Sequence, residues 1–95
     1  MKLKVITPEK GTEIDKEIYH VEAQGVNGSF GVLEGHIPFI SVLKDKSILK
    51  YQSKKTTHIQ SIELENPVLE VTQINKNKAT KETEIVVIAS KITQQ

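Results

Sequence analysis

The chain has 95 residues, no cysteine, and a net charge of +1 from 13 basic and 12 acidic residues, every basic one a lysine. A chain of this length makes one domain with a thin core, and it has neither disulfides nor thiolate metal sites to hold it together. The near-neutral balance supplies no long-range field to draw nucleic acid or an anionic membrane. Arginine, the side chain suited to phosphate and base recognition, is missing.

Period-two patterning runs through the chain from the start. Leu3 and Val5 alternate with Lys2 and Lys4, which predicts a first strand. Glu9, Glu13, Asp15 and Glu17 then cluster at a turn without the central glycine of a calcium loop, so they read as solvated charge. Tyr19, Val21 and Ala23 alternate with His20, Glu22 and Gln24, while Ile18 is out of phase, and the slip predicts a bulge or an entry bend. Residues 25–39 hold four of the five glycines and read as turn, short strand, turn. Ile40, Val42 and Leu43 follow, then the polar tip Lys44-Asp45-Lys46. Ile48–Gln52 and Thr57–Leu64 read as a hairpin closed by Ser53-Lys54-Lys55-Thr56. Val68–Ile74 is a further strand. Residues 75–84 read as a long solvated hairpin loop, or as polar extensions of the strands on each side. Ile85–Ala89 is a continuous apolar run, as in a strand covered on both sides, and the tail 93–95 is expected to fray. No window has helical apolar spacing over three turns. Many short strands of this kind predict an all-β sandwich or barrel. No run approaches the roughly 20 apolar residues of a membrane span, and residues 1–15 lack a signal-peptide core. Association with a membrane is therefore expected to come through a partner.

Residues that carry chemistry are scarce. His20, His36 and His58 have no metal-ligand spacing, and His20 and His58 read as surface residues. His36, framed by Gly35 and Pro38, reads as a structural histidine that ties its turn by hydrogen bonds, as a subunit contact, or as both. The glycine segment lacks the Gly-Lys-Ser/Thr of a phosphate loop and the following helix of a dinucleotide site, so no nucleotide, metal or other cofactor is expected. What remains is a surface that meets other proteins. Phe30, Leu33, Ile37 and Phe39 are the candidates, with core packing as the alternative, and one of Phe30 and Val32 is expected to face a partner. Gly31 is expected to hold a strained corner, so that a valine there would destabilise the fold.

The segment Gly25-Val26-Asn27-Gly28-Ser29-Phe30-Gly31-Val32-Leu33-Glu34-Gly35-His36-Ile37-Pro38-Phe39 resembles the signature of the epsilon subunit of F-type ATP synthases. Leu3-Lys4-Val5-Ile6-Thr7-Pro8-Glu9-Lys10-Gly11 is similar to that family's opening strand and turn, Val68-Leu69-Glu70-Val71 to a later strand, and Val86-Val87-Ile88-Ala89-Ser90 to its closing strand. The four segments agree in order across residues 3–90. The resemblance implies a single domain over residues 1–95, a flattened two-sheet β-sandwich of about ten short strands. It implies a non-catalytic subunit of the central rotor, which docks the gamma subunit to the membrane c-ring, couples ion-driven rotation to ATP synthesis, and meets the alpha/beta hexamer only indirectly. The implied place is peripheral, at the cytoplasmic face of the bacterial inner membrane.

Carried over by position, the ring-facing turn falls on Asn27, Gly28 and Ser29 with neighbouring Phe30 and Gly31, and the gamma- and ring-contacting turn on Gly35, His36, Ile37 and Pro38. Many members of the family have an acidic residue where Ser29 stands, so an ionic contact there becomes a neutral hydrogen bond. The family's Ser-Gly-Gly before the later strand is matched by Glu65-Asn66-Pro67, which predicts Pro67 at an edge or a bulge. Most members continue into a helical hairpin that regulates hydrolysis. This chain, as given, is expected neither to bind ATP nor to inhibit by that route. The alternatives are a small β-sandwich that binds a ligand or carbohydrate, for which Tyr19, Phe30, Phe39 and Tyr51 are poor stacking material, and an enzyme that pairs His36 with a carboxylate.

Overall fold

Residues 1–94 are described by the structure, a computed structural model, and among them are nine strands and no helix. The strands are β1 (Lys2–Thr7), β2 (Gly11–Gly25), β3 (Gly28–Leu33), β4 (Phe39–Val42), β5 (Ser47–Ser53), β6 (Ile59–Glu65), β7 (Val68–Asn75), β8 (Lys81–Ile88) and β9 (Lys91–Gln94). Hydrogen bonds connect them along the path β4-β7-β8-β1-β2-β5-β6-β9, with β3 on β2. The long strand β2 divides this path into two layers. Its first half pairs with β1 in the layer β4-β7-β8-β1, and its second half pairs with β3 and β5 in the layer β3-β2-β5-β6-β9. Every pairing is antiparallel except β1 with β8.

The corner of β2 lies where the phase slip predicts it. The β2–β5 register shifts between Ile18 and His20, and the extra residue flips the faces there. Ile18 and Val21 therefore both point into the core, while Tyr19, grouped by alternation with Val21, is 54% exposed. A single apolar cluster fills the space between the layers. Leu3, Val5, Ile85, Val87, Leu69 and Val71 come from the first, Val21, Val32, Leu49, Tyr51, Ile62 and Leu64 from the second, and Ile18 from the corner. Burying a side chain of this kind contributes roughly 1.5–3 kcal/mol, so even a thin core holds the layers together.

Of the two readings of residues 75–84, the polar strand extensions hold, since β7 runs to Asn75 and β8 starts at Lys81. Three expectations need correction. The run Ile85–Ala89 is covered on one side only: Ile85, Val87 and Ala89 are buried and Ile88 is exposed. Pro67 sits buried in the turn between β6 and β7, outside the ladder, and its carbonyl accepts from the Leu43 N–H at 3.0 Å. Asn66 before it takes a positive φ of 51°, a conformation that asparagine tolerates better than most side chains. Of the tail expected to fray, Thr93 and Gln94 pair with β6, and Gln95 lies outside the described residues.

Candidate docking surface

Two turns carry the residues singled out by the sequence. The first closes the β2–β3 hairpin, where Gly25 pairs with Gly28 across Val26 and Asn27. Both glycines are required, for different reasons. Gly28 has a φ of +136°, and a Cβ on Gly25 would lie 3.0 Å from the Gly28 carbonyl oxygen and 3.2 Å from the Phe30 ring. Asn27, Gly28 and Ser29 are exposed at the tip. Gly31 is exposed as well, but it is not strained: its φ is ordinary, and an added Cβ would meet only the Val21 carbonyl oxygen at 3.7 Å. The expectation of a strained corner at Gly31 is thus corrected, and the constraint belongs to Gly25 and Gly28.

The division expected between Phe30 and Val32 is also corrected. Residues two apart in a strand share a face, and here both point inward, Val32 fully buried and Phe30 half-buried against the core. Gly31 and Leu33 take the outer side. Phe30 meets the half-buried Phe39 edge-on, with ring centroids 5.5 Å apart. This ring contact links a side chain of β3 to one of β4. Of the four apolar candidates in this segment, Leu33 and Ile37 remain exposed, Ile37 at 74%.

The second turn, Gly35-His36-Ile37-Pro38, is held by polar contacts. Gly35, with φ +89°, donates its N–H to Thr83 Oγ1 at 2.7 Å. The His36 N–H donates to the Leu33 carbonyl oxygen at 3.1 Å. His36 Nδ1 lies 2.8 Å from the Ile37 carbonyl oxygen, and since a carbonyl only accepts, the ring proton sits on Nδ1. The imidazole tilts over Phe39 with centroids 5.0 Å apart. His36 is therefore a turn-tying histidine, half-buried, while Ile37 and Pro38 face outward.

Sequence reasoning missed the residues that anchor this turn from a distance. Gln73 Nε2 donates to the His36 carbonyl at 2.9 Å and to Thr83 Oγ1 at 2.8 Å. The Thr83 backbone N–H donates to Glu34 Oε2 at 2.7 Å. The Met1 α-ammonium stands 3.2 Å from Glu34, 3.4 Å from Glu82 and 3.6 Å from Glu17. Partial burial pushes the Glu34 carboxyl up. Hydrogen bonds from the Thr83 side chain and backbone, with the hydrogen bond and charge of the ammonium, outweigh that and hold it at about 2 against an ordinary 4.5. No local pattern announces these partners. Thr83 lies in the stretch that reads as a polar loop, 48 residues beyond Gly35.

The outer faces of the two layers differ. Across the first, cross-strand pairing sets Val42 beside Val68, Val68 beside Ile88, and Ile88 beside Ile6. Val42, Val68 and Ile88 are 60%, 38% and 53% exposed. The neighbouring row runs Ile40, Glu70, Val86, Lys4. Across the second layer the rows run Leu33, His20, Gln52, Ile59 and Gly31, Glu22, Lys50, Ser61. The first face carries one contiguous apolar row, whereas the second is polar with isolated apolar residues. One hollow of about 580 Å³, lined by Lys2, Asp15, Lys16, Glu17, Ser53, Lys55, Thr56 and Gln60, has no aromatic ring in its lining. Another includes Tyr19, whose ring already carries the Lys54 ammonium at 5.7 Å. Neither offers the stacked rings that a carbohydrate site needs. Among the described residues, no helix is long and apolar enough to cross a membrane.

Known proteins are similar in sequence to this domain. The family described as "ATP synthase, Delta/Epsilon chain, beta-sandwich domain" matches residues 1–87. The ATP synthase epsilon chain of Lawsonia intracellularis is 32% identical over 90 residues, which cover 95% of this chain and 62% of that one. The epsilon chain of Nitratidesulfovibrio vulgaris (strain DP4) is 39% identical over 57 residues, 60% of this chain and 42% of that one. That of Citrifermentans bemidjiense is 32% identical over 84 residues, 83% of this chain and 59% of its own. The matched region thus spans about half the length of these relatives.

Proposed function

This chain belongs to the delta/epsilon chain family of the ATP synthase, whose β-sandwich domain it forms, and from that membership we propose that it is a non-catalytic part of the central rotor. In this reading it docks the gamma subunit to the c-ring, at the cytoplasmic face of the membrane, and passes ion-driven rotation of the ring toward the catalytic alpha/beta hexamer.

One observation supports the docking role above the others: the band Val42–Val68–Ile88–Ile6 on the outer face of the first layer. A strand in the middle of a sheet with an exposed isoleucine and valine beside it leaves apolar area in water that association would remove, at roughly 25 cal/mol per Å². We assign this band to the gamma subunit, with the Gly35–Pro38 turn at its side. The tip Asn27-Gly28-Ser29 is assigned to the polar loops of the ring. It carries no charged side chain, so its contacts there are neutral hydrogen bonds, with backbone groups opened by Gly28.

Affinity purification tests the reading. The tagged chain is expressed in its native cells, membranes are dissolved in mild detergent, and the recovered proteins are identified by mass spectrometry. The expected result is a particle containing gamma, alpha, beta and c subunits. Recovery of the folded chain with none of them would overturn it.

A further inference from the structure

Thr83 is fully buried, yet it lies at the polar start of β8 and not in the apolar part of the core. Its hydroxyl has two lone pairs and one proton, and all three are used at one place. The lone pairs accept the Gly35 N–H at 2.7 Å and the Gln73 side-chain N–H at 2.8 Å. That leaves the proton for the Glu34 carboxylate, which also accepts the Thr83 backbone N–H at 2.7 Å. Gln73 spends its amide nitrogen twice, on Thr83 and on the His36 carbonyl. Strands β7 and β8 therefore grip three consecutive residues of the β3–β4 loop: Glu34 by its carboxylate, Gly35 by its N–H, His36 by its carbonyl.

A loop this exposed does not need such a grip to keep the fold. The core is complete without it, and Gly35, Ile37 and Pro38 bury nothing themselves. The grip fixes where the turn points. We propose that Thr83 and Gln73 are positioning residues, which hold the turn Gly35-His36-Ile37-Pro38 in one conformation so that Ile37 and Pro38 meet the partner subunit without an ordering cost on binding. Free loops pay that cost at each encounter. The functional half of this proposal rests on reading the turn as a contact with the rotor.

Thr83→Val keeps the shape and removes the hydroxyl, while Thr83→Ser keeps the hydroxyl and removes a methyl. Two quantities are measured on each variant: amide hydrogen exchange at Gly35, referred to core amides such as Leu69 and Val87, and affinity for purified gamma subunit. In T83V, exchange at Gly35 rises about tenfold or more beyond any change at Leu69 and Val87, affinity falls about tenfold, and T83S restores both, the scale of one lost buried hydrogen bond. Gln73→Met, at a half-buried site, gives the same direction with a smaller size and covers the case in which T83V does not fold. Unchanged protection of Gly35 in folded T83V or Q73M overturns the positioning role. A loosened Gly35 with unchanged affinity overturns the contact assignment of the turn, and with it the functional half.

Discussion

Across the outer face of the first layer stand Val42, Val68, Ile88 and Ile6; the comparable row on the second layer reads Leu33, His20, Gln52, Ile59. Both layers send apolar side chains inward, and both belong to one hydrogen-bonded path bent at β2. The difference is confined to the sides turned away from the core. A face built only for water has no reason to line up branched aliphatic residues across four strands, because alternation with polar residues satisfies the same sheet at less exposed area. The second layer follows that rule and the first breaks it. The break lies on β8, the strand whose continuous apolar run reads as covered on both sides. The chain itself covers one side, and we assign the other to the gamma subunit.

The comparison is broken most sharply by two adjacent residues on β8. Val87 is buried and Ile88 is 53% exposed. Val87→Asp should unfold the domain, since an unpaired carboxylate in a dry core costs more than about 4 kcal/mol; circular dichroism would register the loss of strand signal. Ile88→Asp should leave the melting temperature within a few degrees of the original while weakening gamma binding tenfold or more, read by pull-down. Binding at full strength in folded Ile88→Asp would remove the first face from the docking account.

A smaller effect separates the glycines of the hairpin tip from their neighbour in β3. Gly25→Ala forces a Cβ to within 3.0 Å of the Gly28 carbonyl oxygen, and overpacking of this kind costs about 1–3 kcal/mol. Gly31→Ala has room and ordinary φ, so it should be neutral or stabilising by up to about 1 kcal/mol. Thermal melts of the two variants should move in different directions or by clearly different amounts. Equal losses would mean that β3 is constrained along its whole length.

Acid gives a third test, at the turn beside the first face. Glu34 releases its proton at about 2 when folded, against 4.5 ordinarily. Its contribution to stability is thus full above pH about 4.5 and fades as pH falls toward about 2. Half of the side chain faces solvent, so screening keeps the effect small. Glu34→Gln should flatten the decline in stability over that window and leave the melting temperature at neutral pH slightly lower. An unaltered pH profile would show that the ammonium and Thr83 contacts do not persist in solution.

The smallest expected effect is the control for the whole comparison. Ile59→Glu, at an exposed apolar site on the second layer, should change neither stability nor gamma binding beyond about 0.5 kcal/mol. A loss of binding equal to that of Ile88→Asp would erase the distinction between the faces.

Much of this was legible in the chain. The alternation of Leu3 and Val5 with lysines, the phase slip at Ile18, and the glycines at positions 25, 28 and 35 each have a local physical meaning that survives into the structure. The family was legible for the same reason, since its signature is a set of turns and short strands that only certain residues can make. What escaped was non-local. Tyr19 sits outside because a bulge flips the face, and pattern alone locates the slip without saying which side wins. The unbroken apolar run of β8 does not show that this chain covers only one of its faces and leaves Ile88 exposed on the other. Thr83 and Gln73 grip Glu34, Gly35 and His36 from strands that reach the turn only after folding, so nothing in their own neighbourhood marks them.

The most direct test of the docking account is site-specific crosslinking in native membranes. A photoreactive residue is placed at position 88 in one variant and at position 59 in another, and the captured protein is identified by mass spectrometry. Capture of the gamma subunit from position 88 and not from position 59 is the result expected. Capture from position 59 alone would contradict the account and turn the rotor-facing side of the sandwich around.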